Sequence, residues 1–283
     1  MNHEPGLPAF ADTGSSFVDL LRKVAPEALP PSVMGQGNQP FEITHGTTVV
    51  AIRCEGGVVM AGDRRATSGF TIANRRIEKV FAADELSGVA IAGAAGPAVE
   101  MVRLFQVQLQ HYEKVEGEQL SLEGKANQLA QMVRANLPAA MQGFVVVPLF
   151  AGFDNRRRTG RVFSFDAAGG KYEEADYQAN GSGGVHARSW IKAGWREGLS
   201  ADEAIELAIR SLFAAADEDV ATGGPDLVRG IYPTVAVIDA DGFRSLDDDD
   251  VATRAQALLG GPARGGNETQ GPPTGNGNAG DAR

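Results

Sequence analysis

The sequence predicts an α+β protein in which two β-sheets pack face to face between two layers of helices, an αββα sandwich. In the front half of the chain, apolar residues alternate with a period of two, as they do in strands. Two long segments with helical spacing follow, and then strands and helices come a second time. The order ββ, αα, ββ, αα, β places one pair of helices on the outer face of each sheet.

The front half contains four predicted strands, which we expect to pair as antiparallel neighbours. They cover residues 47–54, 57–63, 70–80 and 86–93. Pro97 opens a helical pattern that continues to residue 116, because proline is well tolerated in the first turn of a helix. A second helical pattern covers residues 122–140.

The second half repeats this arrangement. Strands are predicted over residues 144–153, 161–166 and 172–179, helices over 185–195 and 200–222, and a last strand over 232–239. Ser200 and Glu203 have the spacing of a capping box, which marks the start of the second of these helices. The acidic run at 247–250 is interpreted as a solvated edge.

Two flanking segments have a different composition from this domain, which we assign to residues 47–259. Residues 1–46 are rich in Pro, Gly and Ser around one short helical pattern at 16–29, and we interpret them as a leader. Residues 260–283 contain 8 glycines in 24 residues and little that could be buried, which predicts a disordered tail.

Composition restricts the function. A net charge of −10 and a pI near 5.0 argue against a nucleic-acid partner, which would need clustered Lys and Arg. Cys54 is the only cysteine, so no internal disulfide can form, and we expect it to be a small buried residue. No apolar run is long enough for a membrane helix and the start does not resemble a signal peptide, so we expect a cytoplasmic protein without a membrane partner.

Several common active-site motifs are absent from the sequence. The glycine-rich stretch at 181–184 lacks the spacing of a hydrolase nucleophile elbow, and the stretch at 117–126 fails the phosphate-loop pattern. No Cys or His pair has zinc-ligand spacing, and the four histidines are scattered. We therefore expect neither a metal nor a cofactor.

The bond between Gly46 and Thr47 offers a different chemistry. If it were cut, Thr47 would carry a hydroxyl nucleophile and a free α-amine whose ordinary pKa is about 7.7–8.0. A nearby cation would lower that pKa and make the amine an effective base at neutral pH. A nucleophile with its base on the same residue needs no histidine, and the leader would block the amine until the domain is built.

A set of short motifs resembles the proteasome β subunits of actinobacterial type. They are "HGTTVVAIRCEGGVVMAGDRRAT", "RRIEKVF", "IAGAAG", "NGSGG" and "DEDVATGGPD", and the resemblance extends over residues 46–239. It implies a self-processing N-terminal nucleophile hydrolase with the αββα fold. It also implies assembly into seven-membered β rings stacked between rings of α subunits.

The resemblance assigns roles by position. It implies that Thr47 is the nucleophile, that Lys79 lowers the pKa of the amine and hydroxyl, and that Asp63 holds Lys79. Ser182 would hydrogen-bond the new amine, and Asp219 would orient Ser182. The plainer alternatives are a cross-strand ion pair, a turn serine and a helix-surface aspartate.

Further positions follow from the same resemblance. Thr222 stands where the family usually has serine, and it keeps the hydroxyl. The backbone N–H of Gly93 would face the developing oxyanion, while Thr67 and Ala95 would pair with the substrate backbone. The pocket for the residue before the cut bond would be apolar, although core packing is an alternative explanation for its residues. They are Ala66, Ile77, Ile91, Ala95 and Val99.

The predicted function is a threonine endopeptidase that degrades unfolded or tagged proteins inside a particle. The resemblance implies α-subunit rings, other β subunits, an ATPase ring regulator and protein-tagged substrates as partners. One alternative is the β-type peptidase of the smaller two-ring bacterial system, against which the long leader argues. Another is an inactive ring-building subunit, but such subunits usually lose Gly46, Thr47 or Lys79, and this sequence keeps all three.

Overall fold

The computed structural model describes residues 46–69 and 71–259. The helical pattern at 16–29, nearly all of the predicted leader and the predicted tail lie outside the described residues. The strands are β1 (Thr48–Cys54), β2 (Gly57–Gly62), β3 (Ala66–Ser68), β4 (Thr71–Asn74), β5 (Val80–Asp84), β6 (Ser87–Gly93), β7 (Val146–Asp154), β8 (Thr159–Phe165), β9 (Lys171–Glu174), β10 (Tyr177–Gly181), β11 (Thr234–Asp239) and β12 (Gly242–Ser245). The helices are α1 (Ala95–Glu116), α2 (Leu122–Ala135), α3 (Leu137–Ala140), α4 (Gly184–Gly194), α5 (Ala201–Glu218) and α6 (Asp248–Leu259).

The strands form two five-stranded sheets and one small ribbon. The first sheet has the order β10-β1-β2-β11-β12, and the second has the order β5-β6-β7-β8-β9. All the pairings within them are antiparallel. Strands β3 and β4 pair only with each other.

The core lies in three layers that confirm the predicted αββα sandwich. Strand β1 contributes to two of these layers. Val49 and Ala51 face the second sheet, whereas Val50 and Ile52 face the helices α4 and α5. Successive side chains of a strand point to opposite faces, so a strand that is apolar at every position is buried on both.

The outer face of the second sheet is covered by α1 and α2. Phe105 of α1 packs edge-to-face on Phe150 of β7, with ring centroids 5.9 Å apart. Leu129 of α2 is buried in the same cluster.

Ser200 and Glu203 form the predicted capping box at the start of α5.

Two predicted strands are wrong. Residues 70–80 are not one strand, because the chain leaves β4 after Asn74 and re-enters a different sheet at β5, and this connection carries Lys79 inward. Residues 172–179 divide into β9 and β10, which belong to different sheets. A bend between them at Ala175 and Asp176 lets the chain cross from one sheet to the other.

Helix boundaries also differ from the prediction. The helix predicted over 122–140 breaks at Asn136, two residues before Pro138, whose ring disfavours a continuous helix. The helix predicted over 200–222 ends at Glu218, and Asp219 adopts an extended conformation. The acidic run begins α6, where the negative carboxylates interact favourably with the positive end of the helix dipole.

Cys54 is half-buried rather than buried, and burial raises the pKa of its thiol to about 11.

Candidate active site

Thr47 lies directly before β1, where the end of β10 approaches it closely. The backbone N–H of Thr47 donates to Ser182 Oγ at 3.3 Å. Gly181 has φ 100°, and a Cβ there would lie 1.8 Å from the carbonyl oxygen of Thr47. Only glycine therefore allows β10 to bring Ser182 to the start of β1.

A buried ion pair lies beside Thr47. Lys79 Nζ is 2.7 Å from Asp63 Oδ1, and the side chains of both residues are almost completely buried. Lys79 Nζ also donates to the carbonyl oxygen of Arg65 at 2.6 Å and to that of Gly46 at 3.5 Å. The ammonium thus has three acceptors, one of which belongs to the residue before Thr47.

Asp63 is fixed by backbone donors from three segments. Its Oδ1 accepts from Thr48 N at 2.8 Å, and its Oδ2 accepts from Arg65 N at 2.9 Å and Gly223 N at 2.8 Å. With Lys79 the carboxyl group has four donors. The pair is therefore part of a connected network and not the isolated cross-strand pair of the alternative interpretation.

Burial lowers the pKa of Lys79 below its ordinary value of 10.5, and the negative charge of Asp63 opposes this effect only in part. The positive charge of Arg65 lowers the pKa further. A buried cation of this kind gives up a proton more readily than a surface lysine.

Asp219 organises the other side of Thr47. Its Oδ2 accepts from the hydroxyl groups of both Ser182 and Thr222, the latter at 2.6 Å, and its Oδ1 accepts from Ala221 N at 3.1 Å. Burial alone would raise the pKa of Asp219, but these hydrogen bonds outweigh it and hold the pKa below 3.8. Asp219 is the C-cap of α5 and not a helix-surface residue.

A small cavity of about 20 Å³, enough for about one water molecule, is lined by part of the candidate residues, among them Thr47 and Lys79. Gly93 lies in its wall with φ 110°, and a Cβ there would lie 2.1 Å from the carbonyl oxygen of Val145. The lining residues are Gly46, Thr47, Ala66, Ile77, Glu78, Lys79, Ile91, Gly93, Ala95 and Ala98.

Four of the five predicted pocket residues line this cavity, but Val99 does not. Val99 packs against the core under α1 and α2, and Ala98, one residue earlier on the same helix, lines the cavity instead. Consecutive helix positions point about 100° apart, so a shift of one residue changes the face.

The hydroxyl of Thr67 accepts from Gly46 N at 3.1 Å.

Sequence reasoning missed several contributors that act through backbone atoms. The carbonyl of Arg65 holds Lys79, while the N–H groups of Arg65 and Gly223 hold Asp63. Thr48 was also missed, although it contacts Asp63, Thr222 and Gly183. Backbone donors leave no signature in residue type; the only available signal for Thr48 was its position next to Thr47.

The profile of the family described as "Proteasome subunit" matches residues 43–228. A "Proteasome subunit beta" of Acidimicrobium ferrooxidans is 62% identical over 237 residues, which cover 84% of this chain and 86% of that protein. The protein of the same description from Acidothermus cellulolyticus is 56% identical over 262 residues, which cover 91% and 88% of the two chains. The chain belongs to the proteasome β-subunit family.

Family membership agrees with the α+β sandwich and supports a protease as the coarse function. Within residues 46–69 and 71–259, no helix is both long and apolar enough to cross a bilayer. In the same part of the chain, no group of three or more His, Cys, Asp or Glu residues could hold a metal ion.

Proposed function

We propose that the chain is the catalytic β subunit of a 20S proteasome, an N-terminal threonine endopeptidase. The observation that supports this most strongly is the buried pair of Lys79 and Asp63, because Lys79 lines the same small cavity as Thr47. A buried cation next to a hydroxyl and an amine lowers the pKa of both, which is what a nucleophile and a base near pH 7 require.

In the proposed reaction, Thr47 Oγ attacks the carbonyl carbon of a peptide bond and its proton passes to the α-amine of the same residue. The negative charge that develops on the carbonyl oxygen faces the backbone at Gly93. The amine then gives its proton to the leaving nitrogen, and an ester between Thr47 and the substrate remains. Water, deprotonated by the amine, hydrolyses the ester and restores the enzyme.

We also propose that residues 1–46 are a propeptide that the chain removes itself. The site supports cleavage at this bond because Lys79 Nζ lies 3.5 Å from the Gly46 carbonyl oxygen. Gly46 N is held by the Thr67 hydroxyl, so the residue before Thr47 has a defined position. Thr47 Oγ would attack this carbonyl, form an ester with loss of the amide bond, and release the leader on hydrolysis.

Sterics support glycine at the cleaved position. A Cβ on Gly46 would lie 1.9 Å from Ala221 Cβ and 2.5 Å from both the Cα and the carbonyl oxygen of Ala221. A larger residue could not occupy this position unless the 219–223 loop moved, and this loop holds Asp63 and Ser182 through Gly223 and Asp219.

In this proposal residues 47–259 form the catalytic domain, and residues 260–283 form a tail outside it. The mature subunits assemble into seven-membered rings between rings of α subunits in the cytoplasm. An ATPase ring delivers unfolded, protein-tagged substrates to the enclosed sites. Apolar side chains at Ala66, Ile77, Ile91 and Ala95 favour an apolar residue before the cut bond.

Substitution of Thr47 tests the proposal. We expect Thr47→Ala particles, assembled with the α subunit, to lose peptide hydrolysis, and Thr47→Ser particles to keep a measurable part of it because serine retains the hydroxyl and the amine. Peptide hydrolysis is followed with a fluorogenic peptide that has an apolar residue before the scissile bond. Wild-type particles without hydrolysis would favour the inactive ring-building alternative, and unchanged hydrolysis by Thr47→Ala particles would reject Thr47 as the nucleophile.

A further inference from the structure

Thr48, the residue after the proposed nucleophile, is fully buried and connects both halves of the site. Its backbone N–H donates to Asp63 Oδ1 at 2.8 Å, next to Lys79. Its hydroxyl oxygen lies 2.6 Å from Thr222 Oγ1 and accepts from Gly183 N at 3.1 Å. Thr48 therefore contacts Asp63, which is the partner of Lys79, and also Thr222, whose hydroxyl binds Asp219.

The hydrogen bonds in this part of the site have a fixed direction. A hydroxyl group has one proton to donate, and Thr222 donates it to Asp219 Oδ2 at 2.6 Å. Thr48 must therefore donate its own proton to Thr222. The result is a directed chain from Gly183 N–H through Thr48 and Thr222 to Asp219.

A second branch reaches the same carboxylate. Ser182 Oγ donates to Asp219 Oδ2 and accepts from Thr47 N at 3.3 Å. Asp219 Oδ2 thus receives two hydroxyl protons, one from Ser182 next to the amine and one from Thr222. If Thr222 donates a weaker hydrogen bond, Asp219 Oδ2 keeps more negative charge. That charge then acts more strongly on Ser182 and on the amine of Thr47.

The backbone at Gly183 leaves room for the hydroxyl pair. A Cβ at Gly183 would lie 2.4 Å from Thr48 Oγ1 and 2.6 Å from Thr222 Oγ1. Thr222 is also fully buried, so water does not compete for these bonds. Among the residues that the structure describes, every buried side-chain nitrogen or oxygen has a partner.

We propose that Thr48 is a positioning residue, whose hydroxyl polarises Thr222 and thereby sets how Asp219 and Ser182 hold the α-amine of Thr47. This inference rests on the proposed function. In cooperative hydrogen-bond chains, loss of one donor weakens the next bond. Without the Thr48 hydroxyl, Asp219 keeps more negative charge near the amine, and the protonated form of the amine is favoured.

Matched variants of Thr48 test the inference in assembled, processed particles. Thr48→Val removes the hydrogen bond to Thr222 and the acceptor of Gly183 N–H. We expect it to lower kcat by about tenfold, through the weaker bond from Thr222 to Asp219, with little change in KM. We expect the acid limb of the kcat/KM profile to move to higher pH. Thr48→Ser keeps the hydroxyl and should restore both quantities.

The shift in pH profile separates this role from a loss of packing. The substitution leaves the ionisable groups around Asp219, Lys79 and the cavity at Thr47 in place; they are Asp63, Arg65, Glu78, Lys79 and His186. We expect the effects of Thr48→Val and Thr222→Val to be less than additive, because both break one chain. Full additivity, or a Thr48→Ser particle as slow as Thr48→Val, would overturn the inference.

Two controls keep the test decisive. If Thr48→Val yields no processed particle by intact mass and size-exclusion chromatography, Thr48→Ala replaces it, and wild-type turnover with an unshifted profile overturns the inference. Thr47→Ala provides the baseline. If it abolishes hydrolysis while Thr48→Val and Thr48→Ala match the wild type, only the role of Thr48 is wrong. If Thr47→Ala keeps hydrolysis, the proposed function is wrong and the role of Thr48 falls with it.

Discussion

Replacing Lys79 with methionine should separate the two tasks of the buried ion pair. Methionine has a similar length and no charge, so the variant leaves the Asp63 carboxylate without the cation 2.7 Å away. Removing one partner of a buried pair costs about 3–5 kcal/mol in folding free energy. Three backbone N–H donors remain on Asp63, at 2.8–2.9 Å, and we therefore expect a value near the lower limit, about 3 kcal/mol.

Activity should fall by a separate mechanism. Without the ammonium, the hydroxyl and the amine of Thr47 keep their ordinary pKa values, and loss of such acid–base assistance costs roughly a hundredfold or more in turnover. The double variant Lys79→Met with Asp63→Asn removes the uncompensated charge, but its amide NH2 group faces backbone N–H donors that a carboxylate oxygen accepts in the wild type. It should therefore recover at most part of the lost stability, and it remains inactive.

Two measurements distinguish these effects. Urea unfolding of the purified subunits gives the stability of the wild type, each single variant and the double variant. Hydrolysis of an apolar fluorogenic peptide by assembled particles gives turnover. Near-normal peptide turnover by Lys79→Met particles, or a double variant that recovers activity together with stability, would show that the Lys79 ammonium does not activate Thr47.

Three further predictions concern other parts of the site. Gly46→Ala should slow removal of the leader at least about tenfold, and Ala221→Gly should not rescue it, because backbone atoms of Ala221 also block the new Cβ. Rapid processing on a mass-spectrometric time course would contradict this. Asp219→Asn should lower the free energy of unfolding at pH values above about 4, and progressively less at lower pH. The lowered pKa of Asp219 stabilises the folded state at pH values above 3.8, its ordinary pKa, and this contribution is lost as the pH falls through the pKa of the folded state. A difference in unfolding free energy that does not change between pH 3 and pH 7 would refute this. A peptide library should be cut mainly after apolar residues, and a preference for acidic residues there would show that the cavity does not bind that side chain.

The layers of the fold could be predicted because burial on both faces leaves a strong pattern. Residues 49–52 and 58–61 are apolar at every position, which is typical of strands between a sheet and a helical layer. The crossing at 175–176 could not be predicted, since a chain that moves from one sheet to another keeps a strand-like pattern on both sides of the bend. The helix α6 was missed because its first residues are acidic and resemble a solvated loop.

The candidate site was predicted at the side chains and missed at the backbone. Thr47, Asp63 and Lys79 follow from motif resemblance, and the structure brings them together. The donors on Asp63 include Gly223, which is 160 positions away in the sequence, and such contacts depend on the completed fold. Val99 shows the limit of transfer by motif, because a neighbouring position on the same helix faces the cavity instead.

In the proposed mechanism, Thr47 becomes the N-terminal residue of the active enzyme. Intact mass and N-terminal sequencing of active wild-type particles decide this, with Thr47→Ala particles as the matched control. We expect the active chain to begin "TTVVAIRCEGG" and the Thr47→Ala chain to keep residues 1–46. Active particles whose β subunits still carry residues 1–46 would rule the mechanism out, because Thr47 would then have no free amine.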